Sequence, residues 1–275
     1  RRQRQMCIRD RTKYNNEGWI FRGQYDYADK YFGSASFRRD GSSRFHPSHR
    51  WGNFFSVGAA WIISKESWFD APWVDQLKLK ASYGEQGNDN IGNFRYVNTY
   101  VIENVDGDVA IRPNSMGNPD ITWEKNGNFN AGFEFSLWNA RLSGSFEGFY
   151  RKTSDMLSWV PLPDSFGWTG YYANIGDMTN RGIELELHGD ILRGKDYDLG
   201  VDFNLTWYKN KISKLDPRRK TVTHDGHGGY ENGSYFYGEG LPLYTFLMPS
   251  YAGVDPETGV ALYWMDSEDE NGNPI

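Results

Sequence analysis

Strict alternation of apolar and polar side chains is the feature that most limits how this chain can fold. It is clearest at residues 183–188, IELELH, where three aliphatic residues alternate with two glutamates and a histidine. A period of two residues predicts a β-strand with one apolar and one polar face. Carboxylates and an imidazole require water, so one face of this strand meets an apolar medium and the other meets water. A surface strand of a β-sandwich and the wall of a membrane β-barrel both satisfy this condition.

The same alternation recurs along the chain and predicts an all-β protein. The clearest case is a hairpin over residues 127–152, whose first strand has a phenylalanine-rich face and whose turn lies at 138–140. Asn, Gly and Asp in the stretch 172–180 favour bends, so a loop is expected there, and the part after residue 211 is expected to be mostly loop. The predicted strands are 18–27, 31–39, 53–63, 77–83, 127–137, 141–152, 183–190 and 197–209, with weaker signals at 94–102 and 260–264.

Composition is compatible with a strand-rich chain and excludes other classes. Aromatic residues make up 17% of the chain and glycine occurs 31 times, which suits strands with aromatic borders and many turns. No apolar run approaches the roughly 18 residues that a membrane helix needs, so a helical membrane protein is excluded. The mean hydropathy of −0.72 fits either a soluble protein or a barrel whose strands are half polar.

Strand length and loop length distinguish a membrane barrel from a sandwich. Several predicted strands contain nine to twelve residues, close to the about 9–11 of a transmembrane strand and above the about 5–6 usual in soluble proteins. Outer-membrane barrels alternate tight periplasmic turns with long external loops. A sector of a large antiparallel transmembrane β-barrel is therefore favoured. The short predicted connections lie near 28–30, 64–76, 138–140 and 191–196, and the long ones near 40–52, 85–126, 153–180 and from 211 onward.

Motifs for chemistry are sparse, and we expect no enzyme and no cofactor. His224 and His227 lack a third ligand for a metal. Two acidic stretches, 106–108 and 266–270, lack the spacing and the closing Glu of an EF-hand calcium loop. No phosphate-binding glycine loop, Ser-His-Asp order or basic patch for nucleic acid is present, and the net charge of −6 disfavours DNA binding.

The polar faces of the strands supply a first group of candidate residues. Glu184 and Glu186 lie two residues apart on one strand face, so their side chains run parallel and do not converge on a substrate as a catalytic pair would. In a barrel, such residues face the lumen. The predicted lumen-facing residues are Glu134, Glu184, Glu186, Asp202 and Asn204.

Aromatic residues in two long loops supply a second group. Aromatic rings beside polar side chains can stack on sugar rings. Alternatively, such rings pack one loop against another or form the interfacial girdle of a membrane protein. Both interpretations stay open from the sequence. The candidate substrate-contacting residues are Trp159, Trp168, Tyr171 and Tyr172 in one loop and Tyr235 and Tyr237 in the other.

Six blocks in order along the chain resemble one family. They are SASFRRDGSSRF, WGNFFSVGAAWIIS, LKLKASYGEQGN, NPDITWEKNGNFNAGFEF, YANIGDMTNRGIELEL and YAGVDPETG, and the resemblance covers nearly all of residues 14–265. The chain is similar to the C-terminal barrel part of SusC/RagA-type TonB-dependent transporters of Bacteroidota outer membranes. This resemblance implies a barrel of about 22 strands with a plugged lumen. The chain would supply about eight to ten of these strands and would lack the plug.

The resemblance also implies a function. Such transporters import large nutrients across the cell outer membrane, most often glycans or oligosaccharides and in some cases peptides. Their partners are a SusD-like surface lipoprotein, outer-membrane lipid, and the TonB–ExbB–ExbD complex, which would act through a missing N-terminal region. An alternative of a different class is a soluble carbohydrate-binding β-sandwich of a secreted enzyme or adhesin.

The first eleven residues, RRQRQMCIRDR, differ from the rest of the chain. They contain five arginines and one acid without strand or helix period, and MCIRDR resembles translated sequencing-adapter sequence. We expect residues 1–11 to be a non-native tail and residues 12–275 to be part of a transporter barrel truncated at both ends. Cys7 is the only cysteine, so the chain without this tail is cysteine-free, which excludes a disulfide scaffold.

Overall fold

The computed structural model describes residues 13–264 and consists mainly of β-strands. Three 3₁₀ turns lie at Ile63–Lys65, Asp164–Phe166 and Pro217–Arg219. No helix within residues 13–264 is long and apolar enough to cross a membrane. The strands are β1 Asn16–Tyr27, β2 Tyr31–Ser42, β3 Trp51–Ile62, β4 Val74–Asn88, β5 Thr99–Val105, β6 Asp108–Ser115, β7 Glu124–Leu137, β8 Leu142–Ser154, β9 Leu157–Pro161, β10 Gly170–Asn174, β11 Gly176–Arg193, β12 Asp198–Leu215, β13 Val222–His224, β14 His227–Asn232, β15 Tyr235–Gly238, β16 Thr245–Phe246, β17 Ser250–Val254 and β18 Ala261–Trp264.

Eight strands form one antiparallel sheet in the order β1-β2-β3-β4-β7-β8-β11-β12. These strands contain 12 to 18 residues, well above the about 5–6 usual in soluble proteins. Within residues 13–264, β1 and β12 each have one neighbour in this sheet, so the described sheet is an open sector. The predicted all-β antiparallel architecture with long strands is confirmed.

Connections between the eight strands alternate in length as predicted, except at one position: loop 43–50 has 8 residues and the compact connection 63–73 after it has 11. The strands extend beyond their predicted ends, so each long connection is shorter than the sequence suggests. The connections predicted to be short or compact lie at one end of the sheet, at 28–30, 63–73, 138–141 and 194–197, and those predicted to be long lie at the other end, at 43–50, 89–123 and 155–175. We refer to these as the turn end and the loop end.

The start of β11 differs from the prediction. A loop was expected through residue 180, but β11 begins at Gly176 and pairs with β12 from that residue onward. A Cβ at Gly176 would approach the carbonyl oxygen of Lys214 to 2.4 Å, so this glycine allows close contact between strands instead of a bend. Asn180 lies within the sheet and accepts a hydrogen bond of 2.7 Å from the side chain of Asn210. Turn-forming residue types therefore act here as strand residues.

The long connections contain strands that alternation did not predict. Two are hairpins, β5–β6 and β9–β10, and the part after β12, expected to be mostly loop, contains the four-stranded sheet β13–β16. The turn between β13 and β14 is Asp225-Gly226, with φ of +49° and +78°, and Asp-Gly is a strong signal for a hairpin turn. The weak strand signal at 94–102 overlaps β5 over residues 99–102, but the strand begins five residues later than predicted and ends at Val105. The signal at 260–264 corresponds to β18.

Cross-strand register divides the large sheet into an apolar and a polar face. Successive residues of a strand point to opposite faces, so paired residues on adjacent strands share a face. One row on the apolar face joins Leu79, Phe133, Phe146, Leu185 and Leu205, and the adjacent row on the polar face joins Lys78, Glu134, Ser145, Glu186 and Asn204.

The apolar face is exposed instead of being covered by a second layer. On β12, Leu205 and Trp207 are 46% and 52% exposed. The clusters of buried hydrophobic residues include Trp123 in one case and Tyr171 in the other, both in or next to the long connections. A sandwich covers the apolar face of each sheet with the other sheet, so the exposed face does not support the soluble sandwich. It is the surface that a barrel presents to lipid.

The apolar band on β12 is nearly as tall as the apolar band of an outer-membrane barrel. It extends from Leu199 to Trp207, which is about 27 Å along the strand at about 3.4 Å per residue. At the strand tilt of about 35–45° found in outer-membrane barrels, this length spans about 20 Å across the membrane, close to their apolar band of about 25 Å. Beyond Trp207 the same face carries Lys209 and Lys211. At the turn end, Trp61 stacks on Tyr31 with 6.2 Å between ring centroids, as expected for an aromatic border.

Substitutions on the two faces test which side meets lipid. We expect Leu185→Arg in the complete barrel to lower the free energy of unfolding by about 2–4 kcal/mol, because it places a charge in the apolar band near mid-membrane. Glu186→Arg is the matched control, since Glu186 is the next residue and lies on the polar face opposite Asn204. We expect little change from it. Urea titration of the barrel in lipid vesicles measures both values, and equal destabilisation would show that the faces are assigned wrongly.

Candidate functional site

Ion pairs connect neighbouring strands across the polar face of the large sheet. Lys80 on β4 lies 3.1 Å from Glu134 on β7 and 3.0 Å from Glu147 on β8, and Lys78 lies 3.2 Å from Glu134. The ammonium group of Lys80 thus connects β4 with both β7 and β8. The structure brings the five predicted lumen-facing residues onto this one face: Glu134, Glu184, Glu186, Asp202 and Asn204.

A second polar cluster lies at the turn end of β11 and β12. Nδ1 of His188 lies 2.6 Å from Oδ1 of Asp202, and its Nε2 lies 3.3 Å from Oδ1 of Asp190. Arg193 binds Asp190 and donates a hydrogen bond of 3.2 Å to the carbonyl oxygen of Asn139. The cluster therefore connects the turn between β11 and β12 to the turn between β7 and β8.

The polar face bounds a wide groove of about 900 Å³ towards the loop end. Hydroxyl, amide and guanidinium groups line it, among them those of Ser36, Arg38, Asn128 and Arg151. A ligand pocket for a small apolar molecule is mostly hydrophobic. This groove is instead suited to water and polar solutes.

Asp89 fixes the loop end of the sheet. Its carboxylate accepts hydrogen bonds from the hydroxyl of Tyr14 at 2.9 Å, from Oγ of Ser42 at 2.6 Å and from Arg44 at 3.2 Å. A single aspartate forms no recognisable sequence motif, so this role of Asp89 could not be predicted from the sequence. The adjoining hydrophobic cluster consists of Phe45, Phe54, Ile91, Ile121 and Trp123.

Tyr171 is held in a contact between two loops. It is 8% exposed, and its hydroxyl accepts a hydrogen bond of 2.6 Å from Arg218, which follows β12. Arg218 also donates from its side chain and its backbone to the carboxylate of Asp216. These hydrogen bonds lower the pKa of Asp216 and raise the pKa of Arg218, so the pair stays charged at neutral pH. The ring of Tyr171 is consequently not open to a solute.

The other candidate aromatic residues of the first loop also contact neighbouring loop residues. Tyr172 packs edge-on against Trp159, with 5.2 Å between ring centroids, and the guanidinium of Arg95 lies 4.6 Å from the Tyr172 ring. Trp168 packs against Tyr100 at 5.4 Å. The geometry of this loop is that of loop-to-loop packing, which is one of the two interpretations that the sequence left open.

Tyr235 and Tyr237 of the second loop lie on an open face of the small sheet β13–β16. Tyr237 stacks on Tyr230, with 5.0 Å between centroids and 8° between planes. Tyr235 contacts Tyr244 at 5.6 Å and Phe246 at 5.1 Å. Tyr244 and Phe246 are not among the residues predicted from the sequence. Tyr244 lies in the connection 239–244 between β15 and β16, and Phe246 lies in β16. The structure brings all five rings together.

The histidines of this loop have partners of their own. His224 lies 2.8 Å from Glu231, and Nδ1 of His227 lies 2.8 Å from the carbonyl oxygen of Glu239. In the part of the chain that the structure describes, no three His, Cys, Asp or Glu residues are grouped to hold a metal ion. Asp106 lies in the turn of the β5–β6 hairpin with φ of +54°, and the acidic stretch 266–270 lies outside the described residues.

Comparison with known sequences identifies relatives of this chain. The family model "TonB dependent receptor-like, beta-barrel" matches residues 6–264. TonB-dependent receptor P39 of Formosa agariphila is 34% identical over 224 residues, which are 80% of this chain and 20% of that protein. TonB-dependent receptor SusC of Bacteroides thetaiotaomicron is 33% identical over 223 residues, or 76% of this chain and 22% of that protein.

A solved structure shares the fold over nearly the whole chain. The RagAB peptide importer in its closed-closed state matches with a TM-score of 0.82 and 31% identity, covering 95% of this chain and 28% of that one. The chain thus spans about a fifth to a quarter of the length of these relatives.

The strand register, the exposed apolar face of the large sheet and the sequence similarity identify the same protein family. The large sheet has the long antiparallel strands and the exposed apolar band of an outer-membrane barrel, and the family match extends over nearly all described residues. Barrels of this family are receptors and transporters in the outer membrane and are not enzymes. The chain therefore belongs to the TonB-dependent receptor β-barrel family, in which it resembles the SusC and RagA-type members.

Proposed function

We propose that the complete protein is an energy-coupled importer of large nutrients across the cell outer membrane. The observation that carries this proposal is the eight-stranded sheet with an exposed apolar face and an ion-paired polar face. When such a sheet closes, the polar face lines a lumen and the apolar face contacts outer-membrane lipid. Glu134, Glu184, Glu186, Asp202 and Asn204 then face the transport path.

The proposed partners follow from the relatives. Both curated relatives are named TonB-dependent receptors, which supports energy coupling through the TonB–ExbB–ExbD complex. The similarity to SusC and to RagAB supports a SusD-like surface lipoprotein on the loop side of the barrel. These contacts belong to the complete protein, of which this chain is about a fifth to a quarter by comparison with its relatives.

Two classes of cargo have specific support. The open aromatic face around Tyr235 and Tyr237 favours glycans, because aromatic rings stack on the C–H faces of sugars. The match to a structure named as a peptide importer favours peptides. We place glycans first, since that argument comes from residues of this chain.

Deletion of the gene in its source bacterium tests the import function. We expect the deletion strain to lose growth on oligosaccharides of several sugar units, because such solutes are too large to cross by general diffusion, and to keep growth on the corresponding monosaccharide. The complete gene supplied in trans is the control and should restore growth. Loss of growth on peptides alone would assign peptide cargo, and unchanged growth on both would contradict nutrient import.

The orientation in the membrane gives a further prediction. We propose that the turn end faces the periplasm and the loop end faces outward. In a complete transporter from which any other reactive cysteine has been removed, we expect Ser48→Cys, in loop 43–50, to react with an impermeant maleimide on intact cells. Lys195→Cys, in the turn between β11 and β12, should react only after the outer membrane is permeabilised. The opposite labelling pattern would reverse the orientation.

The division of the chain at residue 12 is also a proposal. We propose that residues 1–11 are foreign to the native gene and that residues 12–275 belong to the barrel. Sequencing the genomic locus tests this. Native codons for RRQRQMCIRDR, continuous with residue 12, would contradict it.

A further inference from the structure

Two cations lie opposite each other at the loop end of the apolar band. Arg181 on β11 and Lys209 on β12 are cross-strand partners. Both lie on the apolar face, because they are two residues from Ile183 and Trp207, which lie on that face. We propose that these two cations bind the phosphate of a phosphorylated membrane lipid, and that an acyl chain of this lipid lies in the groove beside them. The site is on the outside of the barrel and is independent of the proposed import function.

The cation pair is unfavourable without a bound anion. Like charges directly opposite each other on adjacent strands destabilise a sheet. Within residues 13–264, neither Arg181 nor Lys209 has an acidic partner. The next acid along this face of β11 towards the loop end is Asp177, and its carboxylate lies 3.3 Å from the ammonium of Lys152 on β8. A phosphate between Arg181 and Lys209 would replace their repulsion with charge-assisted hydrogen bonds.

A groove of about 460 Å³ in the apolar band begins beside the two cations. Its floor contains Ala131 on β7 and Gly148 on β8, which are cross-strand partners. A Cβ built on Gly148 would meet no atom closer than the carbonyl oxygen of Ala131 at 3.8 Å, so the space above this glycine is open. Larger apolar and aromatic side chains bound the groove, namely Phe129, Tyr150, Ile183 and Trp207.

The groove lies within the wall and not at an open edge of the sheet. Strands β7, β8 and β11, which form its floor and most of its walls, each have a neighbour on both sides. The groove opens on the face that a barrel presents to lipid. Its occupant therefore comes from the membrane.

The cations and the groove together select a phosphorylated lipid. The groove accepts an apolar chain, whereas a free anion would leave it empty. A guanidinium binds phosphate through two parallel hydrogen bonds, and a phosphate monoester carries a charge of about −1.5 to −2 at neutral pH, which balances Arg181 and Lys209. A neutral lipid would fill the groove and leave the repulsion between the two cations uncompensated.

The two cations lie at the depth of lipid headgroups. Lys209 is two residues beyond Trp207, where the apolar band ends. This separation is about 7 Å along the strand, or about 5 Å in height at the strand tilt of an outer-membrane barrel. The ammonium of Lys209 lies 5.6 Å from the centroid of the Trp207 ring, so the charge is at the border of the apolar band. Basic side chains at this level attract anionic lipids.

Native mass spectrometry of the complete transporter in a neutral detergent tests the proposal. The probes are diphosphoryl lipid A, the same lipid without its phosphates, and inorganic phosphate. We expect the wild type to retain diphosphoryl lipid A. Arg181→Gln combined with Lys209→Gln should raise the Kd of this lipid about tenfold or more, because hydrogen bonds to a charged group are lost. Gly148→Leu should also raise the Kd, because the new side chain fills the groove.

The matched control is Lys195→Gln, which should bind the lipid as the wild type does. It removes an exposed cation in the turn between β11 and β12, at the other end of the sheet. Equal loss of affinity in this control would show that the effect is one of overall charge and would contradict the site.

Unfolding in urea gives a second measurement that separates lost binding from a folding defect. Without lipid, we expect the double variant to be at least as stable as the wild type, because it lacks the repulsion between opposite cations. Added diphosphoryl lipid A should raise the unfolding midpoint of the wild type, since it binds the folded state. It should leave the midpoint of the double variant nearly unchanged.

The remaining outcomes would each overturn the proposal. If no lipid is retained, or if the phosphate-free lipid binds as tightly as diphosphoryl lipid A, the pair of cations does not recognise a phosphorylated lipid. If inorganic phosphate displaces the lipid and Gly148→Leu has no effect, the site binds a free anion. If the substitutions change the oligomeric state and leave lipid binding unchanged, the face is an interface between copies of the protein. None of these results affects nutrient import, which the deletion strain tests separately.

Discussion

Hydrogen bonding between neighbouring strands is the interaction on which the rest of this structure depends. In hydrocarbon an unpaired backbone group costs several kcal/mol, so a sheet that crosses a membrane must satisfy every strand through its neighbours. That requirement makes register decisive, because a slip by one residue would turn every side chain to the other face. The row through Leu185 and the row through Glu186 show the result, with an apolar and a polar surface separated by one residue along the strand.

Polar contacts on the water-facing side support this register. Each ion pair on a solvent-accessible surface contributes only about 0–1 kcal/mol, so the pairs of Lys80 with Glu134 and Glu147 are weak sources of stability. Their value is specificity, since a shifted register would place Lys80 in lipid and separate it from both carboxylates. The cluster of His188, Asp190 and Arg193 acts in the same way at the turn end, where two turns meet.

The sequence predicted the parts of the fold that the membrane dictates. Alternation located the hairpin over 127–152 and the strand around Leu185, because lipid and water impose a period of two on any barrel wall. It did not locate the start of β11, since Gly176 and Asn180 are turn formers whose pairing partners on β12 lie more than 25 residues away. The strands β13–β16 were missed because they are too short to show alternation, although Asp225-Gly226 marked one hairpin. Burial of Tyr171 could not be predicted, because it depends on Arg218, 47 positions further along the chain.

The central claim is that this sheet is one part of a closed barrel with lipid outside and water inside. The most direct measurement is the behaviour of residues 13–264 expressed alone in plain buffer. Strands β1 and β12 would then be unpaired edges, which recruit other chains, and the apolar face would be a large exposed patch. The account predicts inclusion bodies and no cooperative thermal transition after refolding. A soluble, monodisperse product that melts cooperatively in plain buffer would contradict it.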